Sequence, residues 1–351
     1  MLSIFPSSAT ISQTSAVSCL LLTSCDGQVS PTYQGRWEEA LLANQPAKTR
    51  VYQNHHLDST RWNWFNPRDN DIIIATSYKA GTTLMQTIVA NLLFPHDDMP
   101  APASDLSPWL DFRLFPLELT LGQLEAQEHR RFIKTHTPLD GLPYFPEAKY
   151  ICVSRDPRDV FMSLLNYWGN HTEAFYMAAN STPGRVGDEF PRFGADIKEM
   201  WRDWITRSWF DWEIGGYPYW SHLSYALTFW NHREVDNILM VHFNDLRAAL
   251  ESEMRRIAAY LDMDVAEENW PDVVRRCTFE EVKKNPSKVV GEGISFAFEG
   301  GADTFIHKGT NRRWVGVLDD EDLSLYEEAM AKLPQDFRQW LERGSQAGMA
   351  A

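Results

Sequence analysis

The sequence predicts an α/β fold: a single domain with a central parallel sheet flanked by helices and a P-loop-like turn. Three observations lead there. Ile72 to Ala75 is an apolar, β-branched run without polar alternation, as expected for a parallel strand covered on both faces. A tight turn, Ser77 to Thr83, follows it, and then Leu84, Ile88 and Leu92 fall at helical spacing. Arg131 to Pro138 and Lys149 to Ser154 read as two further strands, and all three strands end in charged or hydroxyl side chains. In an open α/β sheet, ligands sit at the carboxyl ends of the strands.

A chain of 351 residues can hold one large α/β domain or two small ones, and a hydrophobic content of 44% is ordinary for a globular protein. The formal net charge of −15 argues against non-specific nucleic-acid binding. It does not argue against an anionic ligand, which responds to a local cluster of Lys and Arg. Cys19, Cys25, Cys152 and Cys277 show no CxxC or Cys/His ligand spacing, so no metal site is expected, and a reduced, cytoplasmic setting fits. No run reaches the roughly 20 apolar residues a transmembrane segment needs.

Residues 1–45 read as an N-terminal extension, disordered or loosely packed, and 46–345 as the folded domain. The short run Cys19 to Leu22 lacks the basic flank of a signal peptide. Phe94 to Ser107 is Pro- and Asp-rich loop, and Trp109 and Phe115 lie in irregular chain as candidate pocket walls. Pro157 and Asp159 suit a helix start after the third strand. Trp168, Trp201, Trp204, Trp209, Trp212, Trp220 and Trp230 crowd one segment, compatible with either an apolar cavity or a Trp-rich core. Asn237 to Phe243 reads as a fourth strand. One amphipathic helix is expected from Leu246 to Leu261, another from Asp272 to Lys284, and a terminal one from Leu323 to Leu333. The Gly-rich stretch 287–310 lacks periodicity and suits a loop closing over a ligand.

Taken alone, the Ser77–Thr83 turn is compatible with an anion loop or with an ordinary strand–helix connection. A helix N-terminus attracts phosphate-like anions because its first N–H groups have no partner. The true P-loop pattern, however, needs a second glycine upstream and Lys directly before Ser/Thr, whereas Lys79 stands two residues before Gly81.

Four elements in order resolve this. They are Ser77-Tyr78-Lys79-Ala80-Gly81-Thr82-Thr83, Lys134-Thr135-His136-Thr137-Pro138, Arg155-Asp156-Pro157-Arg158-Asp159-Val160 with Ser163, and Phe305 to Gly309 with Trp314. Together they resemble the cytosolic-type sulfotransferases that use 3′-phosphoadenosine-5′-phosphosulfate (PAPS), over about Arg50 to Leu341. The wording around Phe132 to Leu142 and Tyr150 to Val153 is most similar to bacterial, notably mycobacterial, enzymes described as glycolipid sulfotransferases. The resemblance implies a phosphosulfate-binding turn, PAPS as co-substrate, no metal, and a lipophilic hydroxyl acceptor: an alcohol, phenol or glycolipid. It leaves the acceptor and the oligomeric state open.

By that resemblance His136 is the general base, Lys79 stabilises the leaving oxygen and Lys134 holds a sulfonate oxygen. Ala80, Gly81, Thr82 and Thr83 cradle the 5′-phosphate, while Arg155 and Ser163, with the Lys308 and Gly309 N–H groups, take the 3′-phosphate. Leu84 stands where the family usually has an adenine-stacking Trp, with Phe279 available for the other face. Phe243 stands where Tyr is common, and His307 replaces an Arg. The alternatives are a P-loop-type nucleotide or small-molecule kinase, which would need Mg²⁺ and a Walker glycine, and a non-catalytic nucleotide- or lipid-binding relative.

Overall fold

The computed structural model describes residues 45–345, so the expected extension lies, but for its last residue, outside the described residues. The four expected strands form β1 (Ile72–Thr76), β2 (Phe132–Thr135), β3 (Lys149–Ser154) and β4 (Ile238–His242). They make one sheet in the order β2-β1-β3-β4, every pair parallel. Ala75 aligns with Thr135 on one side and Cys152 on the other, and Ser154 aligns with His242. All four carboxyl ends therefore reach the same edge of the sheet.

Both faces of the sheet are covered, which explains why β1 shows no polar alternation. Ile73, Ala75 and Ile133 face one core, with the helices Pro157–Trp168, Ile197–Thr206, His222–Trp230 and Asp320–Met330. Ile72, Ile74 and Phe132 face the other, with Thr82–Leu93, Phe243–Ala248, Leu250–Tyr260 and Trp270–Arg276. Trp201 and Trp220 are fully buried, so the Trp-rich segment contributes largely to core.

Several helix boundaries differ from the periodicity. The helix expected from Leu246 to Leu261 is two, broken at Ala249, whose φ of −147° and ψ of 60° leave the helical region. Apolar spacing runs through that break, so it carried no sequence signal. The segment Asp272 to Lys284 likewise divides into Trp270–Arg276 and Phe279–Lys284, where the Thr278 hydroxyl caps the second piece. Stretch 287–310 contains the short helices Ile294–Ala297 and Gly301–Phe305 rather than plain loop. Helices Leu117–Glu125 and Gln335–Arg343 had not been expected; each begins directly after a proline. None of the helices described is long and apolar enough to cross a membrane.

Candidate active site

The turn after β1 depends on one glycine. Gly81 has φ of 130°, and a Cβ there would lie 3.1 Å from Val153 Cγ1 and 3.2 Å from Phe243 Cδ2. Only glycine holds that backbone so close to its neighbours. Gly81 then starts the helix Thr82–Leu93 without a side-chain cap, leaving first-turn N–H groups with no intrahelical partner. Thr82 Oγ1 lies 2.5 Å from Thr76 Oγ1, which ties the helix start to the end of β1. Ala80 is fully buried and Thr83 half-buried in the same turn.

Two lysines converge at this edge, and each rests on aromatic rings. Lys79 Nζ lies 4.4 Å from the Phe305 ring centroid and 4.9 Å from that of Tyr167. Burial, with repulsion from Lys134 and Arg155, pushes its ammonium down to about 7. Lys134 Nζ sits 3.9 Å over Trp109, and burial pushes it down to about 8 against the pull of Asp111. Cationic groups on ring faces without a paired carboxylate can accept an incoming anion.

His136 follows β2 and is held on several sides. Its Nδ1 lies 2.6 Å from the Thr76 carbonyl oxygen. A carbonyl only accepts, so Nδ1 carries the proton and Nε2 the lone pair. Its backbone N–H donates to Asp111 Oδ2 at 3.0 Å, and its carbonyl accepts from the Trp220 indole. The ring packs 4.4 Å from Tyr78 and 4.8 Å edge-on from Trp109. Burial, reinforced by Lys134 and Lys79, holds the imidazole well below its ordinary value and hence neutral.

The turn after β3 adds Arg155, whose guanidinium stacks 4.4 Å from the Phe243 ring, the ring that Gly81 also abuts. Its Nη2 donates to Thr310 O at 3.1 Å and Asn311 Oδ1 at 2.7 Å, while its Nε is buried without a partner. Asp156 caps the following helix and binds Arg158, and Asp159 Oδ1 accepts from the Arg312 N–H at 2.6 Å, so both acids are engaged within the fold. Ser163 is half-buried, one turn further along that helix than Asp159. On the last segment, Gly309 has φ of 60°, and a Cβ there would come within 2.6 Å of the Phe279 ring. His307 Nδ1 is buried without a partner, and burial and the charges of Arg313, Lys308, Lys283 and Lys79 hold its ring below the ordinary value; Lys308 is exposed. Among the described residues no three His, Cys, Asp or Glu side chains group as a metal site.

Residues 69–343 match the family model described as "Sulfotransferase domain". The chain belongs to the sulfotransferase family. A glycolipid sulfotransferase of Mycobacterium tuberculosis is 31% identical over 312 residues, covering 84% of this chain and 94% of the relative. Luciferin sulfotransferase of Photinus pyralis is 26% identical over 293 residues, covering 75% and 71% respectively. Among solved structures, retinol dehydratase in complex with retinol and PAP superposes with a TM-score of 0.60 at 19% identity, covering 87% of this chain and 95% of that one. A mouse sulfotransferase complexed with PAP gives 0.58 at 17%, covering 80% and 90%. These two likenesses establish the shared fold.

Several groups around the candidate site had no motif to announce them. His222 bridges two turns: its Nε2–H donates to the Arg155 carbonyl at 2.7 Å, and its Nδ1 accepts from Ser77 Oγ at 2.5 Å. His55, His56 and Tyr78 form a buried chain that starts from the Pro218 carbonyl and ends beside His136. Asp111 directly follows the apolar Trp109-Leu110 pair read as pocket wall, and only the fold reveals its bonds to His136 and Thr137.

Proposed function

We propose that this sulfotransferase moves the sulfuryl group of PAPS to a hydroxyl of a lipophilic acceptor, with His136 as general base. One observation carries the reading: His136 is neutral, its Nδ1 is committed to Thr76, and its Nε2 lone pair is available beside the Lys79 and Lys134 ammonium groups. The residues present fit the donor. The uncapped helix start at Gly81 suits a 5′-phosphate at the Ala80, Gly81, Thr82 and Thr83 positions. The unpartnered Arg155 Nε, with Ser163, Lys308 and Gly309, suits a 3′-phosphate, and the orphaned His307 Nδ1 stands where the family carries an arginine. Phe243 and Phe279 are available to the adenine ring.

When bound, PAPS supplies a sulfuryl group on a phosphate leaving group. Lys79 neutralises charge that develops on the leaving oxygen, and Lys134 holds the sulfonate. His136 Nε2 takes the proton of the acceptor hydroxyl. The lipophilic acceptor is supported by the glycolipid sulfotransferase relative and by the aromatic rings of Tyr78 and Trp109 against the base, with Tyr167 and Tyr219 packed on Tyr78. The test is purified protein with PAPS and a panel of phenols, alcohols and glycolipids, read by mass spectrometry. Sulfated product is expected, and His136→Ala should abolish turnover yet still bind PAP. Full activity of His136→Ala on a confirmed acceptor overturns the assignment of the base.

A further inference from the structure

Phe305 enters the candidate site from a segment that two other side chains fasten. It ends the short helix Gly301–Phe305. Asn166 Nδ2 donates to the Thr304 carbonyl at 3.2 Å, which ties that helix to Pro157–Trp168. Lys283 Nζ donates to the Asp303 carbonyl at 2.7 Å and to the Ile306 carbonyl at 2.6 Å, so the backbone is held on both sides of Phe305. The Phe305 ring packs 5.2 Å from the buried Phe298 and 6.3 Å from Tyr167. Tyr167 stands four residues after Ser163 on Pro157–Trp168, so the two share a helix face.

The two rings meet at Lys79, whose Nζ lies 4.4 Å from the Phe305 centroid and 4.9 Å from that of Tyr167. A ring face is the negative end of the aromatic quadrupole, and it attracts an ammonium most where water is excluded. The charged and titratable groups whose fields involve Lys79 are Lys134 on β2, Arg155 after β3, His136 after β2, His171 beyond Pro157–Trp168 and His307 after Gly301–Phe305. Every one of them is a base. The two ring faces are therefore what favours the charged form of this buried lysine among the described residues.

We propose that Phe305 is a positioning residue for this reaction: with Tyr167 it clamps the Lys79 ammonium between two ring faces, keeping it charged and in place for the leaving oxygen of the donor. This rests on the function proposed above and adds the group that holds its cation. Two residues after Phe305, the chain continues into His307, Lys308 and Gly309, proposed above for the 3′-phosphate, so one segment serves both ends of the donor. Fluorine on the Phe305 ring withdraws electron density from its face while nearly keeping its shape. It therefore separates the electrostatic role from packing.

The deciding measurement is the titration of Lys79 by NMR of ¹³Cε-lysine protein, its signal assigned by Lys79→Arg. Phe305 is replaced in turn by mono-, di- and trifluorinated phenylalanine. The Lys79 midpoint should fall step by step with the number of fluorines, by about one pH unit for the trifluorinated ring. The alkaline limb of kcat/KM for PAPS should move down with it, so that activity well above the midpoint drops about tenfold. The same series at Phe298, which packs on Phe305 but lies on no lysine, should leave the Lys79 midpoint in place. A midpoint that ignores fluorination at Phe305, or one that falls equally for the Phe298 series, overturns the inference. If wild type transfers nothing from PAPS, the function fails instead, and the Lys79 titration, which needs no turnover, still decides whether the Phe305 ring holds the ammonium.

Discussion

His136 Nδ1 lies 2.6 Å from the carbonyl oxygen of Thr76, the last residue of β1. Thr76 ends β1 and His136 directly follows β2, and the register places Ala75 beside Thr135, so the next step along brings Thr76 and His136 together. Strand pairing thus sets the tautomer of the proposed base. A main-chain carbonyl cannot titrate, so this tautomer persists across the working pH range.

The electrostatics around that ring give a pH prediction. Burial, with Lys134 and Lys79 adding repulsion, lowers the His136 pKa well below 6.5. The base is therefore already deprotonated at neutral pH, and activity is lost on the acid side only when pH falls through the lowered value. The acid limb of kcat/KM should have its midpoint below 6.5. A pH–rate profile whose acid midpoint lies at or above the ordinary histidine value would contradict the neutral buried base.

Lys79 yields a second prediction. Its folded-state pKa is pushed down to about 7 from 10.5. Between those values the unfolded chain holds a proton that the folded protein lacks, so this group's contribution to stability rises with pH. Below about 7 the folded protein carries the full cost of a desolvated ammonium. Lys79→Met should therefore raise the Tm of the ligand-free protein, most of all below pH 7, with the gain shrinking at higher pH. An anion restores the charge, so PAP binding at pH 8 should take up protons, measurable by calorimetry in buffers of different ionisation heat. Proton release on binding would count against Lys79 as an anion partner.

His222 links the loop that holds Lys79 to the turn that holds Arg155, through Ser77 Oγ at 2.5 Å and the Arg155 carbonyl at 2.7 Å. His222→Ala leaves two buried polar groups unpaired, a loss of about 1–3 kcal/mol for each. Denaturant melts should show the lost stability, and PAP should bind more weakly because both phosphate turns lose their common support. His222→Gln, which can still donate and accept, should recover part of each. Unchanged PAP affinity in a destabilised His222→Ala would reduce the residue to a purely structural role.

The parts legible in the sequence were those written in consecutive residues. The β1 strand, its turn, Lys134 and His136, and the Arg155 helix start are each a local pattern, and the parallel sheet follows from burial on both faces. What escaped was non-local. Asp111 contacts residues 25 and 26 positions away, and His222 reaches back 145 positions to Ser77. No periodicity or motif encodes such pairs; they exist only once β2 and the neighbouring loops are in register. The break at Ala249 was hidden for another reason: neither Pro nor Gly marks it, and Met254, Ile257 and Leu261 remain on one face beyond it.

The buried chain behind His136 gives the last prediction. The Pro218 carbonyl accepts from His55 Nε2–H at 2.9 Å, so His55 Nδ1 holds a lone pair and accepts from His56 Nδ1–H at 2.5 Å. His56 Nε2 in turn accepts from the Tyr78 hydroxyl at 2.6 Å. Every proton is assigned only if both histidines are neutral, and burial enforces this, pushing His55 down to about 3 and His56 well below its ordinary value. Folded pKa values below the unfolded 6.5 mean the unfolded chain binds more protons there, so stability must fall as pH drops below 6.5. Tyr78→Phe removes the donor at the end of the chain and strands His56 Nε2, which should lower unfolding free energy by about 1–3 kcal/mol. Replacing His56 by Phe as well removes the stranded acceptor, so the double variant should lose less than the sum of the two single changes. Urea melts of the four proteins at pH 7.0 (roughly neutral, where both histidines are uncharged) measure this coupling, and strict additivity would show that Tyr78 and His56 do not act through the bond between them.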